Sequence, residues 1–152
     1  MGVSHLRTSG RWRVVCAAIL GLAVLPMPTA NADDPIPLGG GSGLVVNGET
    51  LCTLTTIGND NRGNLVGFTS AHCGGPGAQV AAEGLENAGV VGTMVAGNDT
   101  LDYAVIQFDP AKVRPVNSVN GFQIDGLGPD PVTGDIACKL GRTTGYSCGV
   151  TW

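Results

Sequence analysis

Charge is scarce in this chain of 152 residues, and positive charge scarcer still: charged residues make up 13% and aromatics 5%. Apart from a basic head at Arg7, Arg11 and Arg13, only Arg62, Lys112, Arg114, Lys139 and Arg142 stand against twelve acidic residues. That is a formal charge of -7 beyond residue 32, with His72 neutral. No phosphate-matching basic surface can be built from so few cations, which excludes nucleic acid as a partner. C-x-x-C pairs are absent, and the one histidine beyond residue 32 is too few to complete a zinc ligand set with them. Twenty-five glycines and nine prolines interrupt the chain too often for long helices.

The single long apolar run is Val14 to Leu25, VVCAAILGLAVL. It follows the basic head and precedes PMPTANA, with Ala30 and Ala32 at the small positions of an A-x-A site. This order predicts a signal peptide over residues 1–32, cleavage between Ala32 and Asp33, and a secreted product. The run is too short for an ordinary spanning helix, so no stable membrane anchor is expected; a retained short anchor is the alternative. Trp12 separates Arg11 from Arg13, which removes a twin-arginine signal, and Cys16 sits in the apolar core without a lipobox.

Four cysteines remain after that cleavage: Cys52, Cys73, Cys138 and Cys148. An even number in an exported chain reads as a disulfide framework with three possible pairings. Proximity in sequence favours Cys52–Cys73 and Cys138–Cys148. Each bridge is worth about 3 kcal/mol on chain-entropy grounds.

Short β-rich runs punctuated by turn residues fill the rest. GLVVNG, LCTLTTIG and NLVGFTSAHC come first, then a segment around VVGTMVAG, then LDYAVIQFD, the strongest strand signal in the chain. RPVNSVNGF, IACKLG and YSCGV follow. Many brief strands predict an all-β barrel or sandwich. DDPIPLGGGS, residues 33–42, reads as a flexible lead. Residues 43–125 hold the strands of one barrel, the Gly/Pro bridge 126–131 marks a boundary, and 132–152 suffice for a hairpin. Such a hairpin is marginal alone and leaves its edges unpaired.

Chemistry narrows to two residues. His72, in VGFTSAHCG, lies thirty positions before Asp102, in TLDYAVI. Hydrolysis by a serine needs a histidine that takes the hydroxyl proton and returns it to the leaving amine, with a carboxylate fixing the imidazole. A carboxylate beginning a hydrophobic strand requires a partner in the core, and His72 is the only imidazole to hand. A Cys52–Cys73 bridge would fix the turn carrying His72, and Ser70, Ala71, Gly74 and Gly75 permit a tight bend. The plainer reading is a structural histidine and a turn aspartate.

GFTSAHC resembles the histidine motif of chymotrypsin-like serine proteases, and LDYAVI resembles their aspartate motif. CKLGRTTGYSCG, residues 138–149, is similar to a cysteine-bounded hairpin in bacterial members such as the streptogrisins and alpha-lytic protease. Across residues 43–152 this resemblance implies a chymotrypsin-like antiparallel β-barrel, the first of the family's two and complete, with the second reduced to about a hairpin. It implies His72 as general base and acid, Asp102 as its orienting group, and bridges Cys52–Cys73 and Cys138–Cys148. It also implies a peptide or protein substrate and no cofactor or metal.

The family's nucleophile stands in a GDSGG segment, and none occurs in residues 1–152. The serines after residue 32 are Ser42 in the glycine-rich lead, Ser70 two places before the histidine, Ser118, and Ser147 beside Cys148. None is expected to serve as the nucleophile. The expectation is therefore a serine endopeptidase lineage, truncated and inactive by itself, with a complementing C-terminal half as a possible partner. The alternative is a non-catalytic secreted β-module that binds a protein or a surface.

Overall fold

Alternating burial along short strands builds the core. In the computed structural model, which describes residues 34–152, strand β1 is Ile36–Leu38 and β2 is Gly43–Val46. Strands β3 (Thr50–Thr53), β4 (Thr56–Asn59), β5 (Leu65–Thr69) and β6 (Gln79–Ala82) follow. Next come β7 (Gly92–Asn98) and β8 (Tyr103–Phe108). Ala104, Ile106 and Phe108 of β8 point inward while Tyr103 and Gln107 face out, the period-2 pattern of a strand with one wet face. Strands β2 to β8 form one antiparallel sheet in the order β3-β2-β6-β7-β8-β5-β4.

The two edges of that sheet, β3 and β4, are consecutive in the chain, so the sheet curls back on itself. It stops short of the complete barrel expected, because β3 and β4 do not pair with each other. Leu54, between them, is fully buried and plugs the gap from inside; its backbone N–H donates to Ser42 O at 2.8 Å and its carbonyl accepts from Gly41 N at 2.7 Å. Leu44, Val46, Val80, Val91, Met94 and Ile106 fill the remaining interior. Gly67 of β5 faces inward where a Cβ would meet Leu54 Cδ1 at 2.7 Å and Phe108 Cε2 at 2.8 Å. Only glycine lets those two side chains pack there.

The lead, expected to be flexible, is ordered by pairing. Strand β1 runs parallel to β9 (Val113–Pro115), with Ile36 opposite Val113. Leu38 and Val113 are both buried, and Ile36 N donates to Lys112 O at 2.8 Å. Ile36 and Leu38, two apart, give the segment an apolar face that composition dominated by glycine and proline conceals. Ser42 is likewise buried, its Oγ accepting from Gly39 N at 3.0 Å.

Two small hairpins complete the chain. Strands β10 (Ser118–Val119) and β11 (Phe122–Gln123) are joined by Asn120 and Gly121, both at positive φ, as a tight two-residue hairpin turn requires. Strands β12 (Ile136–Gly141) and β13 (Gly145–Val150) form a separate antiparallel pair with Cys138 opposite Cys148. Both expected bridges, Cys52–Cys73 and Cys138–Cys148, are formed. The domain is thus all-β: a curled seven-stranded half-barrel with small separate sheets. No helix among the described residues is long and apolar enough to cross a membrane. The expected signal peptide and its cleavage site at Ala32–Asp33 lie outside the described residues.

Candidate active site

Adjacent strands bring His72 and Asp102 to one place. Strand β5 pairs with β8, Thr69 opposite Ala104, so the three residues after Thr69 and the two before Ala104 emerge at the same end of the sheet. Thr69 is buried and its Oγ1 donates to Thr53 O at 2.9 Å, which ends β5 without an orphaned hydroxyl. The chain then makes one 3-10 turn, Ala71–Cys73. Ala71 and Cys73 are buried and Cys73 is bridged to Cys52 of β3, leaving His72 as the residue turned outward. Gly74 follows where a Cβ would stand 3.0 Å from Val46 Cγ1 and 3.1 Å from Ala78 Cβ, so the turn sits tight on the core.

Asp102 approaches from the loop before β8. Asn98 Oδ1 accepts from Leu101 N at 2.9 Å, and Asp102 itself sits at φ 48°, a left-handed conformation that aspartate tolerates better than most residues. Its Oδ1 accepts from the backbone N–H of His72 at 3.1 Å, and both carboxylate oxygens lie 2.9 Å from His72 Nδ1. An ionised carboxylate only accepts, so Nδ1 carries the proton and the lone pair of the neutral ring is on Nε2. Among the described residues Nε2 has no hydrogen-bond partner.

The His72 backbone N–H, donating into the carboxylate, is the main cause that holds Asp102 below the ordinary carboxylate range. Partial desolvation opposes it, while the imidazole's hydrogen bond and charge, and to a smaller extent the Ser70 side chain, act in the same downward direction. The pair is nonetheless open: side-chain exposure is 71% for His72 and 49% for Asp102. This corrects the expectation of a partner buried in the core. Asp102 precedes the hydrophobic strand instead of beginning it, and its neighbour Leu101 is exposed as well. Solvent screens such a pair, so its contribution to stability is small.

Against known proteins the chain matches no family model and no curated sequence. The site therefore rests on its motifs and on its geometry.

None of the serines is hydrogen-bonded to the imidazole among the described residues. Ser147 faces Lys139 across the second hairpin, and Ser118 belongs to β10. No group of three His, Cys, Asp or Glu side chains converges among the described residues as a metal site would. Sequence reasoning missed Phe68 and Tyr103, whose rings lie 6.5 Å apart at a tilt of 56° on the outer face beside Asp102. A diagonal pair across β5 and β8 is visible only once the register is known. It also missed Glu83 and Arg142, an ion pair that ties β6's end to the second hairpin across 59 residues.

Proposed function

We propose that the chain carries the general-base half of a secreted serine endopeptidase of the chymotrypsin-like type. His72 would take the proton of an attacking hydroxyl through Nε2 and return it to the leaving amine, and Asp102 would fix the ring and steady its charged form. The half-barrel of β2 to β8 corresponds in this reading to the family's first barrel, and the hairpin of β12 and β13 to the opening of its second. The observation that carries the reading is the contact of both Asp102 oxygens with Nδ1 at 2.9 Å, which leaves Nε2 free on an exposed ring. Residues 1–152 supply no nucleophile in a GDSGG segment, so by themselves they do not turn over peptide. The serine and its oxyanion donors would have to come from residues outside this sequence.

The test is fluorophosphonate labelling of the processed chain, alone and mixed with a polypeptide that carries a GDSGG second barrel. Alone, no serine is labelled. In the mixture the partner's serine is labelled, and the labelling is lost with His72→Ala. Labelling of the chain alone that vanishes with His72→Ala overturns the claim of inactivity; labelling in the mixture that ignores His72→Ala overturns the assignment of the base. A non-catalytic binding module is the second reading, favoured by the exposed apolar side chains of the hairpin.

A further inference from the structure

Strand β7 carries an irregularity whose effect reaches His72. Up to Met94, paired with Ile106, β7 and β8 keep one register; from Ala96, paired with Val105, they keep another, and Val95 is the extra residue between. Such a bulge re-aims the strand beyond it. In the unshifted register Asn98 would stand opposite Asp102; with Val95 inserted it stands opposite Tyr103, the last pair of the ladder. Asp99 to Asp102 are thereby left to form the loop between β7 and β8. Asn98 holds that loop from two sides. Its backbone is paired with Tyr103, and its Oδ1 accepts from Leu101 N at 2.9 Å. Leu101 and Tyr103 are the two chain neighbours of Asp102, so one asparagine brackets the residue that bears the carboxylate.

We propose that Asn98 is a positioning residue for the pair His72 and Asp102: its side-chain oxygen, closing the loop through Leu101 N, sets the Asp102 backbone in the conformation that aims the carboxylate at the imidazole. The inference rests on the reading of His72 as general base. Asp102 has φ 48°, and a residue other than glycine stays left-handed only where its surroundings over-determine it. Packing gives no such hold, because the Leu101 side chain is 70% exposed and Asp99 and Thr100 are exposed as well. The hold comes from Asn98, which is itself partly buried. The aim is also exacting. Asp102 Oδ1 accepts from the His72 backbone N–H at 3.1 Å while lying 2.9 Å from Nδ1, and hydrogen bonds weaken steeply as their angles bend. Released from Asn98, Leu101 N turns to water, Asp102 relaxes toward the common extended region, and its carboxylate leaves Nδ1.

Nitrogen-15 NMR of the His72 ring in residues 33–152, at a pH where the ring is neutral, tests it. The parent is expected to show the Nδ1–H tautomer. Asn98→Ala converts it largely to the Nε2–H form, and Asn98→Asp, which keeps an oxygen acceptor, preserves the Nδ1–H form. Thr100→Ala, in the same loop, leaves the ring as in the parent. Carbon-13 titration of the Asp102 carboxyl gives a second reading. In Asn98→Ala it moves up from its depressed position toward the ordinary value of 3.8, because the His72 N–H no longer reaches it. Thermal midpoints separate this role from a merely structural one: a lowered midpoint with a parent-like ring in Asn98→Ala overturns the proposal. So does an Asn98→Asp ring that matches Asn98→Ala. An Nε2–H ring already in the parent overturns the general-base reading and this inference with it; an Nδ1–H ring that ignores Asn98→Ala overturns this inference alone.

Discussion

The half-barrel and the second hairpin are built from the same kinds of strand and each carries a disulfide, yet they hold together differently. Cys52 and Cys73 are buried among Leu44, Val46 and Leu54, so their bridge reinforces a packed core. Cys138 and Cys148 join two strands that are exposed along almost their whole length. The hairpin is kept in register by its own bridge and ladder, and in place by contacts near its tip. Arg142 pairs with Glu83, Arg142 N donates to Thr53 Oγ1 at 2.8 Å, and Leu140 touches Gly41. A disulfide therefore fixes local geometry in both regions, while only burial gives one of them a core.

Core truncation separates the two regions most strongly. Ile106→Ala should destabilise the half-barrel by about 2–5 kcal/mol in chemical denaturation, because Ile106 is fully buried. The matching change in the hairpin, Ile136→Ala, should stay within about 0.5 kcal/mol. Next in size, replacing Cys52 and Cys73 together by alanine should cost about 3 kcal/mol of global stability. Replacing Cys138 and Cys148 should instead raise amide exchange over residues 136–150 and leave exchange in β5 and β8 unaltered.

A smaller effect sharpens the contrast through pH. The Arg142 guanidinium, chiefly by its hydrogen bonds, holds Glu83 below its ordinary value of 4.5, against a smaller opposing desolvation. Because the folded-state value is depressed, the contribution is fully present above 4.5 and is lost as pH falls through the lowered value. Acid should therefore release the hairpin before the half-barrel unfolds, seen as faster proteolysis in the bridge 126–131. Glu83→Gln should give that faster cleavage already at neutral pH. The smallest effect is expected for Asp102→Asn. Asp102 is also held low, so its contribution has the same sign, but the exposed pair leaves the thermal midpoint of the half-barrel within error of the parent.

How much of this could be read from the sequence differs between the same regions. The second hairpin was legible almost to the residue, because IACKLG and YSCGV are bounded by glycines and carry cysteines at matching positions. The pair His72 and Asp102 was legible from motif wording, and β5 pairing with β8 supplies the physical reason for its spacing. What stayed hidden depends on non-local packing. The glycine-rich lead is a strand because Val113, some 75 residues on, offers it a partner, and Ser42 is buried by the same docking. The half-open sheet follows from Leu54 plugging the seam between β3 and β4, which no local pattern announces. Neither the exposure of Asp102 nor the left-handed backbone that delivers its carboxylate leaves a mark in TLDYAVI.

The central claim is that Asp102 fixes the imidazole with its proton on Nδ1 and its basic lone pair on Nε2. Nitrogen-15 NMR of residues 33–152, in which His72 is the only imidazole, measures this directly at a pH where the ring is neutral. The parent chain should show the Nδ1–H tautomer, and Asp102→Asn should collapse it toward the Nε2–H tautomer. An Nε2–H ring in the parent, unmoved by Asp102→Asn, would contradict it.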